Sequence, residues 1–361
     1  MEQLNLWNEI GENFPNLKEH ESNDWRWSFS DYPEKNGLKV FSCFACGGGS
    51  TMGYKLCGCE VLGDLEIDKR VNDVYIANHH PKYNYLMDIR DFNKLEDLPE
   101  ELYKLDILDG SPPCTPFSVA GDREESWGVE KKFREGQKKQ TLDDLSFMFI
   151  ETAQKLQPKV VIMENVEGLL LGAAWFYVQK IYENFDKSGY NVRHYLLKGE
   201  SLGIPQRRHR VFFVAVRKDL NFDFDLLDMN FNYKPVTFGM VKEGQAKEIK
   251  TPVAKKLVNL SMPGDVSFAD VCKRINEKPN GFGRCFLWDN EIPATIVSAN
   301  DYIRGSEKKY ASDEDIRNIQ TFPIDYNFGN QKVTYICGMS VPPIMIKRLL
   351  TRLIETNIFN K

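Results

Sequence analysis

Between Gly37 and Arg217 the chain alternates short apolar runs with segments of helical spacing, the pattern of a parallel sheet covered by helices. Residues 40–44, 60–65, 105–108, 158–163, 191–197 and 211–216 read as strands. Several are apolar at nearly every position, as strands buried on both faces are. Residues 142–156 and 175–185 carry helical spacing, and Asp68 is placed to cap a helix running towards His79. Asp88-Ile89 reads as closing another short strand. The strand at 105–108 must end at Gly110-Ser111-Pro112-Pro113, because proline fixes φ and offers no ladder donor. After Arg217 the alternation fades, and Pro, Asn, Lys and aromatic residues dominate to about Gly305, which predicts a separate smaller unit. Regular pattern returns at Ser312-Asp313-Glu314-Asp315, a capping box ahead of a helix at 316–320. Gly338-Met339-Ser340-Val341-Pro342-Pro343 and an amphipathic helix at 344–354 follow. Residues 1–36 show no clear periodicity and read as an N-terminal extension. The expected organisation is an extension at 1–36, a doubly wound α/β domain at 37–217, a smaller region at 218–305 and a return to the first domain at 306–361.

Composition adds little that is selective. The 361 residues are 42% hydrophobic and 27% charged, an ordinary globular balance. The N-terminus lacks a basic region followed by an apolar run, and no stretch approaches the ~20 apolar residues of a membrane helix. A cytoplasmic protein with no membrane partner is expected. Eight cysteines in such a chain are expected to be reduced. Cys43-x-x-Cys46 and Cys57-x-Cys59 invite a zinc reading, but the first pair opens a glycine run and the second leads into an apolar strand. Small-residue packing explains both, and no metal is expected. The formal charge of −5 exerts no global pull on nucleic acid, though a local basic face is enough to bind one.

The chemistry gathers at strand ends. Cys114 follows the Pro-Pro turn at the carboxyl end of its strand, the edge of an open α/β sheet where ligands bind, so it is a candidate nucleophile. A lone Cys is more often a small buried hydrophobe. The glycine turn Cys46-Gly47-Gly48-Gly49 lets backbone approach a ligand. Glu66, which ends the next strand about 20 residues on, stands at the interval at which a carboxylate meets a ribose. Such a turn alone is often only a tight connection. Glu164 in Glu164-Asn165-Val166 also ends a strand and shares the crevice with the thiol. Arg208 and Arg210, on one face of an extended segment, suit a planar polar or anionic substrate. Lys131, Lys132, Arg134, Lys138 and Lys139 form a basic run that is either a solvated face or a lid touching phosphates.

These segments, taken together, resemble the DNA (cytosine-5)-methyltransferase family over roughly residues 38–217 and 291–355. The motifs occur in family order: Phe44 to Gly49, Pro112-Pro113-Cys114, Glu164-Asn165-Val166, Gln206-Arg207-Arg208-His209-Arg210 and Gly338 to Pro343. The resemblance implies a Rossmann-like catalytic domain that binds S-adenosyl-L-methionine through Phe44, Gly48, Glu66, Ile67, Asp88, Leu145 and Ser340. It implies Cys114 as the nucleophile, with Glu164, Arg208 and Arg210 holding a cytosine flipped out of double-stranded DNA. Residues 218–305 then stand as the target-recognition region, in which Arg284 is a candidate base reader, while the basic run contacts phosphates. A monomer serving beside a separately acting restriction endonuclease, or borne by a phage, is the expected setting. Three positions depart from the family: Ser42 where Asp is common, Cys46 where Gly is usual, and Met339 where Asn is typical.

Competing readings explain less. A transfer-RNA cytosine methyltransferase on the same scaffold lacks its expected Cys-Phe-Thr-type segment before Ser312. A silent nucleic-acid-binding relative would lack the thiol or the carboxylate. A nicotinamide dehydrogenase would explain the glycine turn and Glu66, but not Pro-Pro-Cys, Glu-Asn-Val or the arginines.

Overall fold

The computed structural model describes residues 17–20, 25–113, 144–278 and 283–360. A seven-stranded sheet forms its centre, in the order β3-β2-β1-β4-β5-β7-β6, from β1 (Lys39–Cys43), β2 (Glu60–Glu66), β3 (Tyr83–Leu86), β4 (Ile107–Gly110), β5 (Val160–Val166), β6 (Tyr190–Lys198) and β7 (His209–Arg217). The first five strands are parallel, and β7 runs antiparallel to both β5 and β6. Asp88 does not close a strand, as its sequence suggests. The strand stops at Leu86, and the Asp88 carboxylate accepts from Arg90 N to cap the helix Ile89–Lys94.

Neighbouring residues of each central strand serve opposite faces. Phe41, Leu108, Val161 and Phe213 join one core with the helices Leu145–Leu156 and Trp175–Lys187. Val40, Ile107, Ile162 and Phe212 join the other, with Tyr54 from the helix Gly49–Lys55 and Leu349 from the helix Pro343–Glu355. Period-two alternation between two covered faces leaves no polar face, which is why these strands read as continuous apolar runs. The last helix lies against the helix that follows β1, and a Cβ on Gly53 would come within 2.5 Å of both Pro343 O and Ile346 Cβ. Trp25 and Trp27 are buried in a third cluster with Ile316, Phe322 and Ile336, and Trp27 Nε1 donates to Thr321 O at 2.9 Å.

The departure at Ser42 has a partner on the adjacent strand. Ser42 stands opposite Asp109 in the β1–β4 register, and its hydroxyl donates to Asp109 Oδ2 at 2.7 Å, while Tyr54 OH donates to Oδ1 at 2.9 Å. A carboxylate therefore occupies this sheet position from β4 rather than β1. Burial pushes Asp109 up to about 7.

A second sheet, β8 (Arg284–Leu287), β9 (Asp301–Arg304) and β10 (Lys309–Tyr310), has its own core of Leu257, Phe268, Val271, Phe286, Trp288 and Ile303. The preceding segment belongs elsewhere: Phe222, Phe224, Leu227 and Met229 pack into the core of the large sheet. Arg304 joins the small sheet to the returning chain, with Nε 2.7 Å and Nη2 3.1 Å from the two oxygens of Asp315. Asp315 is 0% exposed and also closes the capping box with Ser312 at the start of the helix Asp313–Ile319. Among the described residues no helix is long and apolar enough to cross a membrane.

The Arg304–Asp315 pair yields a stability prediction. Asp315→Ala leaves the buried Arg304 guanidinium with only the more exposed Glu307 as a carboxylate partner and removes the capping box, which costs about 2–4 kcal/mol. Urea unfolding should show a lower midpoint at an unchanged slope; an unmoved midpoint would contradict the buried pair.

Candidate active site

The carboxyl edge of the large sheet carries the candidate residues. Where β1 ends, Phe44 and Cys46 adopt φ of 55° and 47°, and Gly48 φ of 80°. Only Gly48 does so without strain, so the Cys46 departure places a side chain where left-handed backbone costs about 1 kcal/mol or more. The glycines are also needed for close approach: a Cβ on Gly48 would lie 2.1 Å from His79 Nε2, and one on Gly49 2.1 Å from Val341 O. Glu66 pins this turn. Its Oε2 accepts from Cys46 N at 2.9 Å, and its Oε1 accepts from Ile67 N and Asp68 N at 2.8 and 2.9 Å. Burial raises its carboxyl, and the three backbone donors pull the other way.

The other candidate donor-binding positions surround this turn. Ile67 is 38% exposed at the end of β2. The Phe44 ring lies 6.5 Å from that of Phe149, in the helix that Leu145 begins. Arg90 pairs with Asp88 at 3.2 Å and with Asp144 at 2.5 Å, which draws the Asp88 corner to the start of that helix. Leu145 itself is buried in the core. Ser340 is buried with its hydroxyl donating to Cys46 Sγ at 3.7 Å, whereas Met339 is 47% exposed. At Met339 the polar contribution comes from backbone next door, where Gly338 O accepts from Arg208 Nη2 at 3.3 Å.

A second group of side chains meets where β4, β5 and β7 adjoin. β4 leads into Ser111-Pro112-Pro113; Cys114 lies outside the described residues. Asn165 Nδ2 donates to Pro112 O at 3.4 Å and so ties the proline turn to β5. Glu164 is 8% exposed and its Oε1 is 2.8 Å from Arg210 Nε. Arg208 is buried and donates to Ile296 O and Gly338 O at 3.2 and 3.3 Å, while its Nε has no hydrogen-bond partner among the described residues. Burial, then the charge of Arg210, pushes Arg208 down to about 9, which leaves it a cation at neutral pH. A carboxyl group and two guanidiniums thus converge beside the segment that leads to the thiol, an arrangement able to grip a planar heterocycle along a polar edge.

Sequence reasoning passed over two contributors. Gln206 donates to Ile319 O and Gln320 Oε1, and Gln320 donates to Ser340 O, which links the arginine segment to the returning chain. His209 lies between Glu167 and Glu200. An amide between a proline and two arginines, and a histidine between two arginines, give no signal of partners so distant in sequence.

Lys131, Lys132, Arg134, Lys138 and Lys139 lie outside the described residues. Arg284 begins β8 with its guanidinium 5.8 Å from the Phe268 ring centre and its Nε 3.9 Å from Asp301 Oδ2. It is half-buried against its own sheet rather than extended from a loop. The seven described cysteines are free, and among the described residues no group of three His, Cys, Asp or Glu is arranged to hold a metal ion.

The chain is similar to known proteins in sequence and in fold. The type II methyltransferase M.FnuDI of Fusobacterium nucleatum is 35% identical over 184 residues, 51% of this chain and 48% of that protein. This chain therefore matches about half the length of that relative. M.BspRI of Lysinibacillus sphaericus, also a type II methyltransferase, is 27% identical over 345 residues, covering 82% of this chain and 74% of its own. Among solved structures, a mutant Dnmt2 of Spodoptera frugiperda superposes with a TM-score of 0.62 at 18% identity, over 88% of this chain and 100% of that one, a likeness of fold. The family model for C-5 cytosine-specific DNA methylase matches residues 38–355, and the chain belongs to that family.

Proposed function

We propose that this chain transfers a methyl group from S-adenosyl-L-methionine to C5 of a cytosine turned out of double-stranded DNA, through a covalent bond between the Cys114 sulfur and C6. The observation that carries this reading is the meeting of Glu164, Arg208 and Arg210 beside the Pro112-Pro113 turn that leads into Cys114.

The residues at the ends of β1 and β2 suit the donor. A carboxylate has about four lone-pair sites, and three backbone donors leave Glu66 able to accept from a ribose hydroxyl. Phe44 and Ile67 offer apolar surface beside it, with Gly48, Asp88, Leu145 and Ser340 completing the set. When bound, S-adenosyl-L-methionine supplies an electrophilic methyl group on a sulfonium.

The chain's own work is to make cytosine C5 able to accept that methyl. Attack of the Cys114 thiolate on C6 turns C5 into the carbon of an enamine; later loss of the C5 proton and departure of the thiolate restore the aromatic ring. Charge grows on the ring as sulfur adds. The Glu164 carboxyl group, donating its proton to N3 as an acid, and the Arg208 and Arg210 guanidiniums along the O2 edge offset it from fixed positions, so little reorganisation accompanies the step. The same two cations favour the thiolate. The reading calls for no residue of a second copy, and we propose a monomer. The type II names of some relatives and the orphan names of phage relatives support modification of DNA either beside a separately acting restriction endonuclease or without one, and we place the chain in the cytoplasm.

A duplex carrying 5-fluorocytosine should trap the wild-type chain covalently, because fluorine cannot leave C5 as a proton does, and Cys114→Ala should neither trap nor methylate while keeping its fold. Bisulfite sequencing of DNA from an expressing host should show protected cytosines in one sequence context; a Cys114→Ala variant that still methylates would sink the assignment.

Glu66→Ala should weaken donor binding by about 1.5–3 kcal/mol, the range for a hydrogen bond to a charged group. Calorimetry that shows unchanged affinity would reduce Glu66 to its part in holding the glycine turn.

Specificity and affinity should separate. Neutralising Lys131, Lys132, Lys138 and Lys139 together should weaken binding to all sequences alike and flatten the salt dependence by a slope of about 0.9 for each phosphate left without its cation. Replacing Arg284, in the 218–305 region, should alter discrimination at particular base pairs, each worth roughly 1–3 kcal/mol. Methylation of a randomised duplex library reads both, and a changed sequence preference in the lysine variant would refute the division.

A further inference from the structure

His209 has no part in the mechanism above, yet its ring is held more completely than that of an idle surface residue. Nδ1 lies 3.2 Å from Glu167 Oε2, and Nε2 lies 2.8 Å from Glu200 Oε1. A neutral imidazole carries one N–H and would set its remaining lone pair against an oxygen that has no proton to give. Both contacts are hydrogen bonds only when both ring nitrogens are protonated.

The three groups arrive from three elements. Glu167 begins the short turn Glu167–Leu170 after β5, Glu200 lies in the turn Gly199–Leu202 after β6, and His209 begins β7. The corner is tight: Gly199 N donates to Arg208 O at 3.0 Å, and a Cβ on Gly199 would lie 2.5 Å from Gln206 O. Beyond the ring, the carbonyl of His209 accepts from Arg210 Nη1 at 2.7 Å, and Arg210 Nε reaches Glu164 at 2.8 Å. The ring contacts thus anchor the stretch of backbone on which Arg210 rests.

We propose that protonated His209 is a positioning residue: clamped between Glu167 and Glu200, it holds the carbonyl that orients Arg210, so that the Glu164–Arg210 pair keeps its geometry only while the imidazolium persists. The consequence for the base rests on the methyl-transfer reading; the clamp itself does not.

The charged groups around the ring are Glu167 after β5, Glu200 after β6, Lys198 at the end of β6 beside Glu200, and Arg208 and Arg210 on its own segment. The hydrogen bond to Glu200 is the largest influence; it holds His209 above the ordinary imidazole value, against a smaller opposing effect of burial. A raised value means that the clamp is complete at and below the ordinary value and is lost as pH rises through the raised one. The Cys114 thiolate grows in the same direction of pH, so the two together give a rate that rises and then falls.

The test pairs a histidine titration with a chemical one. Nuclear magnetic resonance of the full chain reads His209 among five histidines, and covalent trapping by the 5-fluorocytosine duplex is timed across pH. In the wild type, His209 should titrate above the ordinary imidazole value, and trapping should fall on the alkaline side with the same midpoint. Glu200→Gln should move both midpoints down together by about one pH unit. At saturating duplex His209→Gln should trap about tenfold more slowly or worse, with duplex affinity within about twofold and no alkaline fall. An alkaline fall that survives unchanged in His209→Gln, or a His209 that titrates at the ordinary value, overturns the proposal. A wild type that traps at no pH would sink the methyl-transfer reading instead. The titrations of wild type and Glu200→Gln would then decide the clamp alone, with an ordinary value in the wild type overturning it.

Discussion

The antiparallel insertion of β7 between β5 and β6 is the constraint on which the site depends. Because β7 runs against β5, its first residues lie beside the last residues of β5, and Arg210 stands opposite Val166 in the register. Both ends therefore fall at the edge where β4 delivers the proline turn. A parallel seventh strand would carry the arginines to the far edge of the sheet. A slip of one residue would turn them to the other face, since side-chain direction alternates along a strand. The long apolar stretch Val211–Val216, buried throughout, protects that register, because a slip would exchange the contributions of Phe212 and Phe213 to the two cores.

Much of this was legible in the chain. The apolar runs mark strands because the sheet is covered on both sides, and the proline turn marks where β4 must stop. Glu66, Glu164 and Arg210 stand out in the sequence as candidates because each carries charge at a strand end, where burial needs a reason. The antiparallel direction of β7 was not legible, since a strand's sequence looks much the same in either direction. Nor were the roles that depend on distant partners. Glu66 spends three acceptor sites on backbone N–H groups, which no side-chain pattern announces. Asp109 looks like one more polar residue near a turn until the register sets it opposite Ser42. The region after Lys218 reads as one compositional block, yet Phe222 to Met229 pack on the large sheet and Leu257 to Ile303 around the small one. Composition reports what a segment contains, and packing decides where it goes.

Buried polar contacts tie each sheet to the returning chain. Gln206 and Gln320 join the arginine segment to Ser340. Arg304 and Asp315 join the small sheet to the returning chain. Each is buried, and the glutamine pair spans 114 residues of sequence. Fully satisfied polar contacts of this kind hold two units at a fixed angle more strictly than apolar contact does, because they have one good geometry. That matters for the proposed function, in which a base-reading unit and base-holding residues address one duplex together.

The close contact between the glycine turn and the C-terminal segment bears on how the protein is made. Gly49 lies against Val341 and Gly53 against Ile346, partners separated by nearly the whole of the large domain. The turn after β1 leaves the ribosome nearly 300 residues before the segment that supports it. Closing so long a loop is slow relative to local folding. During synthesis the first strands can pair while the turn lacks its backing from Val341 and Ile346. The turn would then gain its backing only once the helix Pro343–Glu355 had been made, a built-in delay between the first strands and a finished crevice.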